Sequence, residues 1–247
     1  MNIIITGASS GLGAELAKYY SHEATTLHLI ARRKDRLIEL KNSLKCEVKI
    51  YVVDVSDFKN LEKTITTIVK NSDYIDMVIA NAGVSLGHNS EFCEFENFKK
   101  LFDINFLSIH ALLTPIIPKM QLQHSGKIVI ISSLASIITM PSSIAYSTSK
   151  RALNSYCEGV RNLVAPDGVE VINILPGFIK SEMTDKNSFK MPFLLETSEG
   201  VKRIVNAIKC SKKEYKFPKR FYIFIKLVSL LPLSLKDRVI QTMHKKK

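Results

Sequence analysis

Short runs that are apolar at nearly every position recur along the chain: Ile3 to Ile5, Leu27 to Ala31, Met77 to Ala80, Ile128 to Ile131 and Val171 to Leu175. A strand covered on both faces has no polar alternate position, so these runs predict the inner strands of a parallel sheet. Between them lie longer stretches with apolar positions at helical spacing: Gly13 to Tyr20, Arg36 to Leu44, Leu61 to Val69, Phe98 to Met120 and Ala145 to Val164. With Glu47 to Val53 as a further strand, β and α alternate throughout. That order predicts an α/β fold, a doubly wound parallel sheet with helices on both faces.

Ligands of such sheets bind beyond the carboxyl ends of the strands. Those positions hold Thr6 to Gly13, Arg32 and Arg33, Asp54, Asn81 to Gly83, Ser132 and Ser133, and Pro176 and Gly177. In Thr6-Gly7-Ala8-Ser9-Ser10-Gly11-Leu12-Gly13 the glycines remove Cβ atoms where backbone must turn tightly and approach a pyrophosphate at a helix N-terminus. The same loop alone also suits an ordinary strand-to-helix turn, and its place at the first βα junction favours the dinucleotide. The second strand ends at Ala31-Arg32-Arg33, where an NAD-specific site would carry an acidic residue for the ribose 2′-hydroxyl. Two guanidiniums suit a 2′-phosphate instead, so NADP (NADPH) is expected in preference to NAD. The alternative is a solvated basic helix start running into Lys34. Tyr146 and Lys150 stand four apart on a predicted helix, hence on one face. A phenol has a pKa near ~10, and a neighbouring ammonium with an oxidised nicotinamide would lower it. Tyr146 is therefore the candidate general acid in reduction and general base in oxidation.

Thr-Gly-x-x-x-Gly-x-Gly at Thr6 to Gly13, Asn81-Ala82-Gly83 and Tyr146-Ser-Thr-Ser-Lys150 together resemble the single-domain short-chain dehydrogenase/reductases, over roughly Met1 to Met183. The resemblance implies a Rossmann-like sheet of about seven strands. It also implies a role for each matching residue. Ser133, thirteen residues before Tyr146, corresponds to the serine that polarises the substrate oxygen, with Ser132 as its neighbour. Asn105 in Asp103-Ile104-Asn105-Phe106 corresponds to an asparagine that holds a proton-relay water. Without the family, Asn105 reads as a polar residue satisfying helix backbone. Lys150 would also bond the nicotinamide ribose. The cofactor would lie along Thr6, Gly7, Ser9, Ser10, Gly11, Leu12 and Gly13, with Arg32, Arg33, Asp54 and Val55 near its adenosine end. Asn81, Ala82 and Gly83 would support it, with Pro176, Gly177, Ile179 and Ser181 near the carboxamide. Ser181 stands where threonine is usual, and Asp54 and Asn81 also suit a helix cap or turn. The glycine spacing counts against a sugar-nucleotide epimerase.

With 247 residues, 46% of them hydrophobic, and no low-complexity linker, a single domain is expected. Its catalytic part would cover 1–217, with a substrate lid at about 182–196 and an apolar, basic extension at 218–247. Met183, Phe189, Met191, Phe193 and Leu194 in the lid suit a lipophilic substrate, or a surface loop packed on the core. The four cysteines form no CxxC pair, so no metal site is expected, and reduced thiols suit a cytoplasmic protein. Ile3 to Ile5 reaches the glycine loop too soon for a signal peptide.

The formal charge of +12 is concentrated at one end: from Lys209 to Lys247 there are twelve Lys or Arg and two Asp or Glu. That distribution argues against a nucleic-acid face spread over the fold. Phe221 to Leu235 carries a single charge, Lys226, and is too short to span a bilayer. It must be buried against its own domain, another subunit, or an anionic membrane surface, the last favoured by Lys216, Lys219, Arg220, Lys236, Arg238 and Lys245 to Lys247. The family implies a homodimer or homotetramer through Phe98 to Met120 and Ala145 to Val164. The expected function is NADP(H)-dependent hydride transfer between nicotinamide and a carbonyl or alcohol, with two alternatives: a 3-oxoacyl-carrier-protein reductase, and a non-catalytic NADP-binding sensor.

Overall fold

The computed structural model describes residues 1–86, 92–185, 187, 189 and 191–245. Lys186, Ser188 and Lys190 of the expected lid, and Lys246 and Lys247 of the basic terminus, lie outside the described residues. Seven parallel strands form one sheet in the order β3-β2-β1-β4-β5-β6-β7. They are β1 (Asn2–Thr6), β2 (Thr26–Ala31), β3 (Glu47–Val52), β4 (Met77–Ala80), β5 (Gly126–Ile131), β6 (Val169–Pro176) and β7 (Glu214–Phe217). Strand order reverses between β1 and β4, which pair as Ile3 with Met77 and Ile5 with Ile79. This is the crevice where a doubly wound sheet receives its ligand.

Successive side chains of a strand point to opposite faces, and the two cores divide accordingly. Ile3 and Ile5 join α1 (Gly11–Tyr20), α2 (Lys34–Ser43) and α8 (Thr197–Lys209) through Leu16, Leu37 and Ile204. Ile4 joins the other layer, where α3 (Phe58–Lys70) and α7 (Ile144–Val164) contribute Leu61, Ile65, Leu153 and Val160. A third, small cluster of Leu134, Leu175 and Ile225 holds α9 (Lys219–Ser229), which is followed by α10 (Leu233–Lys245).

The expected single helix from Phe98 to Met120 is broken. It consists of α4 (Phe95–Phe102), a π-helical turn at Asp103–Leu107, α5 (Ser108–Leu113) and α6 (Ile116–Gln123). Pro115 has no amide hydrogen to continue the ladder, which ends α5. The π turn inserts an extra residue at Asn105 and rotates that side chain into the protein.

His28 on β2 is buried, with Nδ1 3.1 Å from the Tyr51 hydroxyl. Burial, reinforced by the nearby Lys49 charge, pushes the imidazole down to about 4. The unfolded chain binds this proton near ~6.5, so the associated stability is complete above that pH and is lost as pH falls toward 4, by roughly 3 kcal/mol. Urea unfolding of His28→Gln is expected to lack this part of the acid loss. An unchanged pH dependence in the variant would refute the assignment.

Candidate active site

A cavity of about 1450 Å³ opens at the carboxyl ends of the strands, over the β1/β4 crevice. Its floor begins at the loop after β1. Gly7 and Gly11 have φ of +67° and +53°, the left-handed region that favours glycine. A Cβ on Gly13 would stand 2.3 Å from the Gly7 carbonyl oxygen, so α1 starts flush against the loop. Asn81 locks this shape, its Nδ2 donating to the Thr6 and Gly7 carbonyls at 3.1 and 3.3 Å. The Asn81 and Ala82 amides donate to Thr6 Oγ1, both at 3.1 Å. Thr6 and Gly13 therefore shape the cradle from behind, whereas Gly7, Ser9, Ser10, Gly11 and Leu12 line the cavity. Ser10 caps α1 without a side-chain bond, leaving the amide end of the helix facing the cavity. Close-approach backbone and a positive helix end fit a pyrophosphate.

Beyond β2, Arg33 gathers the groups that an anionic phosphate needs. Its Nε donates to Ser9 Oγ at 3.2 Å and its Nη2 to Ser10 Oγ at 2.6 Å. Its Nη1 donates to Glu182 Oε2 at 2.8 Å, and Arg36 donates to the other Glu182 oxygen. The Arg33 hydrogen bond, with Arg36 adding to it, holds the Glu182 carboxyl below the usual range against the opposing effect of burial. Arg32 lines the same cavity, with its Nη1 3.4 Å from Asp54 Oδ2. Asp54 also accepts from the Ser56 amide and hydroxyl, so it works as a turn former while lining the cavity beside Val55.

The other end of the cavity holds Ser133, Tyr146 and Lys150. Ser133 follows β5 in an extended conformation and its Oγ accepts from the Ala135 amide at 3.1 Å. Tyr146 and Lys150 are one turn apart on α7, with Lys150 Nζ 5.9 Å from the Tyr146 ring centroid. Lys150 is buried and its Nζ donates to the Ile131 carbonyl at 2.8 Å. Burial pushes its pKa down to about 8. Burial also raises the Tyr146 phenol, against a smaller lowering by a hydrogen bond with Ser133. The lowering expected for Tyr146 concerns the ring with an oxidised nicotinamide beside it; in the protein alone desolvation outweighs the Ser133 hydrogen bond. The group stands as a phenol, with its proton available.

Chain residues 1–191 match the short chain dehydrogenase family. The chain belongs to that family. An uncharacterized oxidoreductase of Myxococcus xanthus is 32% identical over 95% of this chain and 94% of its own length. The 11-beta-hydroxysteroid dehydrogenase-like 2 protein of Arabidopsis thaliana is 36% identical over 83% of this chain and 68% of its own. A short chain dehydrogenase of Burkholderia cenocepacia solved in complex with NADP has a similar fold, with TM-score 0.81 at 22% identity and 96% of each chain covered.

Asn105 sits on the π-helical turn at Asp103–Leu107. It is fully buried behind the cavity wall, accepting from the Val84 amide at 2.8 Å and donating to the Val84 carbonyl at 2.9 Å and to Ser149 Oγ at 3.3 Å. Both amide hydrogens are used, so the side chain clamps the segment after β4 onto α7. Gly83 lies between it and Lys150: a Cβ there would be 3.4 Å from Asn105 Oδ1 and 3.7 Å from Lys150 Nζ.

Several residues outside the quoted motifs also shape the site. Asn154 accepts from Ser132 Oγ at 2.7 Å and from Asn173 Nδ2 at 3.0 Å, and donates to Ser136 Oγ at 2.7 Å. Its signal was present, since it continues the i, i+4 stripe of Tyr146 and Lys150. Thr184 lines the cavity and ties Ser181 to Ile179 through its hydroxyl. Pro176, Gly177, Ile179 and Ser181 line the same wall. The described part of the lid is anchored at both ends, by Glu182 on Arg33 and by a bridge between Ile179 and Leu195. Phe178 packs on Phe189 and Phe221, and Phe193 on Phe221, which closes the substrate side with aromatic surface.

Proposed function

We propose that this oxidoreductase is an NADPH-dependent carbonyl reductase acting on an apolar ketone or aldehyde. The carrying observation is one cavity with a guanidinium–dihydroxyl cluster at Arg33, Ser9 and Ser10 at one end and a Ser133–Tyr146 pair beside Lys150 at the other. The glycine cradle and the Asn81 clamp would hold the dinucleotide backbone, and Arg33 would grip its 2′-phosphate. The nicotinamide supplies hydride when bound. The Ser133 hydroxyl donates to the carbonyl oxygen and orients it, and Tyr146 transfers its phenolic proton to that oxygen as negative charge develops. Lys150 would orient the nicotinamide ribose from one turn beyond Tyr146, while Asn105 ties the segment after β4 to α7.

The same reading places the protein in the cytoplasm, supported by four free thiols, Cys46, Cys93, Cys157 and Cys210. It has the chain act as a homodimer or homotetramer, supported by exposed Phe95, Leu107, Ile144 and Leu163 along α4–α7. Residues 1–217 would then form the catalytic unit, with 218–247 as an extension.

The test is a fluorescence titration of the purified protein with NADPH and NADH, followed by oxidation of bound cofactor across free ketones, aldehydes and acyl-carrier thioesters. Tight NADPH binding with turnover of apolar ketones is expected. Preference for NADH removes the role of Arg33, turnover of carrier thioesters alone moves the protein to the acyl-carrier reductases, and binding without turnover makes it a sensor.

A further inference from the structure

The helix α9 packs Phe221, Ile225 and Val228 against the domain and presents an opposite side that none of the described residues covers. There, Ile223, Leu227 and Leu230 follow one another at i, i+4 and i+7 and are 54%, 62% and 68% exposed. Leu233 and Leu235 continue the apolar surface onto α10. Arg220 and Lys226 flank the stripe on its two sides by helical geometry, with Lys219 at its start and Arg238 on α10, all four exposed. An apolar stripe bordered by cations is the pattern of a helix lying in a lipid interface.

Charge selects the occupant. A twofold contact through this face would set Arg220 and Lys226 against the same cations of a second copy. A bilayer with anionic headgroups offers acyl chains to the leucines and opposite charge to their borders. At 11 residues, α9 is about 16 Å long, which lets it lie in the interface but not cross a ~30 Å hydrocarbon layer. Among the described residues no single helix is long and apolar enough to cross a membrane.

These helices are also the cavity's outer wall. Phe221, Phe224, Ile225, Val228 and Met243 line it, and Phe224 is at the same time 46% exposed. We infer that α9 and α10 dock on an anionic bilayer surface and turn the cavity mouth toward it, so that an apolar carbonyl dissolved in the lipid reaches Tyr146 without crossing water. The docking stands on the exposed stripe and its cations; only the route of the substrate rests on the reductase reading.

The full chain is sedimented with phosphatidylcholine vesicles containing or lacking phosphatidylserine. It should pellet with the anionic vesicles and be released by salt, because each cation contributes ~1 kcal/mol, about fivefold in affinity. Leu227→Gln with Leu230→Gln, outside the cavity, should weaken pelleting by at least about tenfold while leaving turnover of a water-soluble ketone unchanged. The same variant should raise KM for a ketone dissolved in the vesicles. Absence of pelleting, or equal pelleting with pure phosphatidylcholine, overturns the docking. So does a fall in oligomer mass in the variant, which would make the face a protein contact. Equal loss on both ketones overturns the route, whereas pelleting without any turnover by the wild-type protein leaves docking standing and sinks the reductase reading.

Discussion

Tyr146→Phe is expected to lower kcat for carbonyl reduction by about a hundredfold to ten-thousandfold while leaving the Kd for NADPH unchanged. The substitution removes one hydroxyl from a ring whose other atoms keep their place on α7. The cofactor cradle is built at Gly7 to Gly13 and Arg33, on other elements. Burial keeps the phenol protonated, so the reaction loses a donor that is present and correctly charged in the reductive direction. Ser133 remains and still donates to the substrate oxygen, which is why some turnover should survive. Single-turnover oxidation of NADPH separates this chemical step from binding. Equal turnover in the two proteins would remove Tyr146 from the reaction, and loss of NADPH affinity in parallel with kcat would make it a structural residue.

For Arg33→Ala the effect should appear in binding and should depend on the cofactor. Hydrogen bonds to a charged partner contribute ~1.5–3 kcal/mol, so NADPH affinity is expected to fall about tenfold to a hundredfold. NADH affinity should change little, since NADH lacks the 2′-phosphate. The guanidinium already donates to Glu182, so phosphate binding exchanges one anion for another and the lower part of this range is the better expectation. Arg36 donates to the same carboxylate and keeps Glu182 paired in the variant. Titration with both cofactors checks the ratio; equal losses for NADPH and NADH would mean that Arg33 supports the loop and not the phosphate.

The parallel sheet was legible because its inner strands are apolar on both faces. The position of β7 was not, since Glu214 and Lys216 alternate with Tyr215 and Phe217 in an edge strand that needs burial on one side only. Tyr146 and Lys150 were legible from the family motif and their shared helix face, and Ser133 from the thirteen-residue separation that the resemblance implies. The break at Asp103–Leu107 was not, because periodicity over a long apolar stretch hides a single inserted residue. That insertion decides where Asn105 points, so its contacts with Val84 and Ser149 lay beyond any reading of spacing. The direction of the Tyr146 shift in the protein alone was not legible for a similar reason: a neighbouring charge can be read from a motif, whereas the depth of burial belongs to the folded cavity.

The apolar stretch after Phe217 had to be buried against something, and the structure divides that demand between its two faces. Leu134, Leu175 and Ile225, with Ile137, Ile138, Phe221 and Tyr222 packed on them, form the small cluster that holds α9, whereas the two main cores each take residues from most of the strands. Opening free energy scales with what is buried, so α9 and α10 can leave the domain for far less than global unfolding costs. The hardest part of the molecule therefore carries the proton donor and the cofactor cradle, and the softest carries the outer wall.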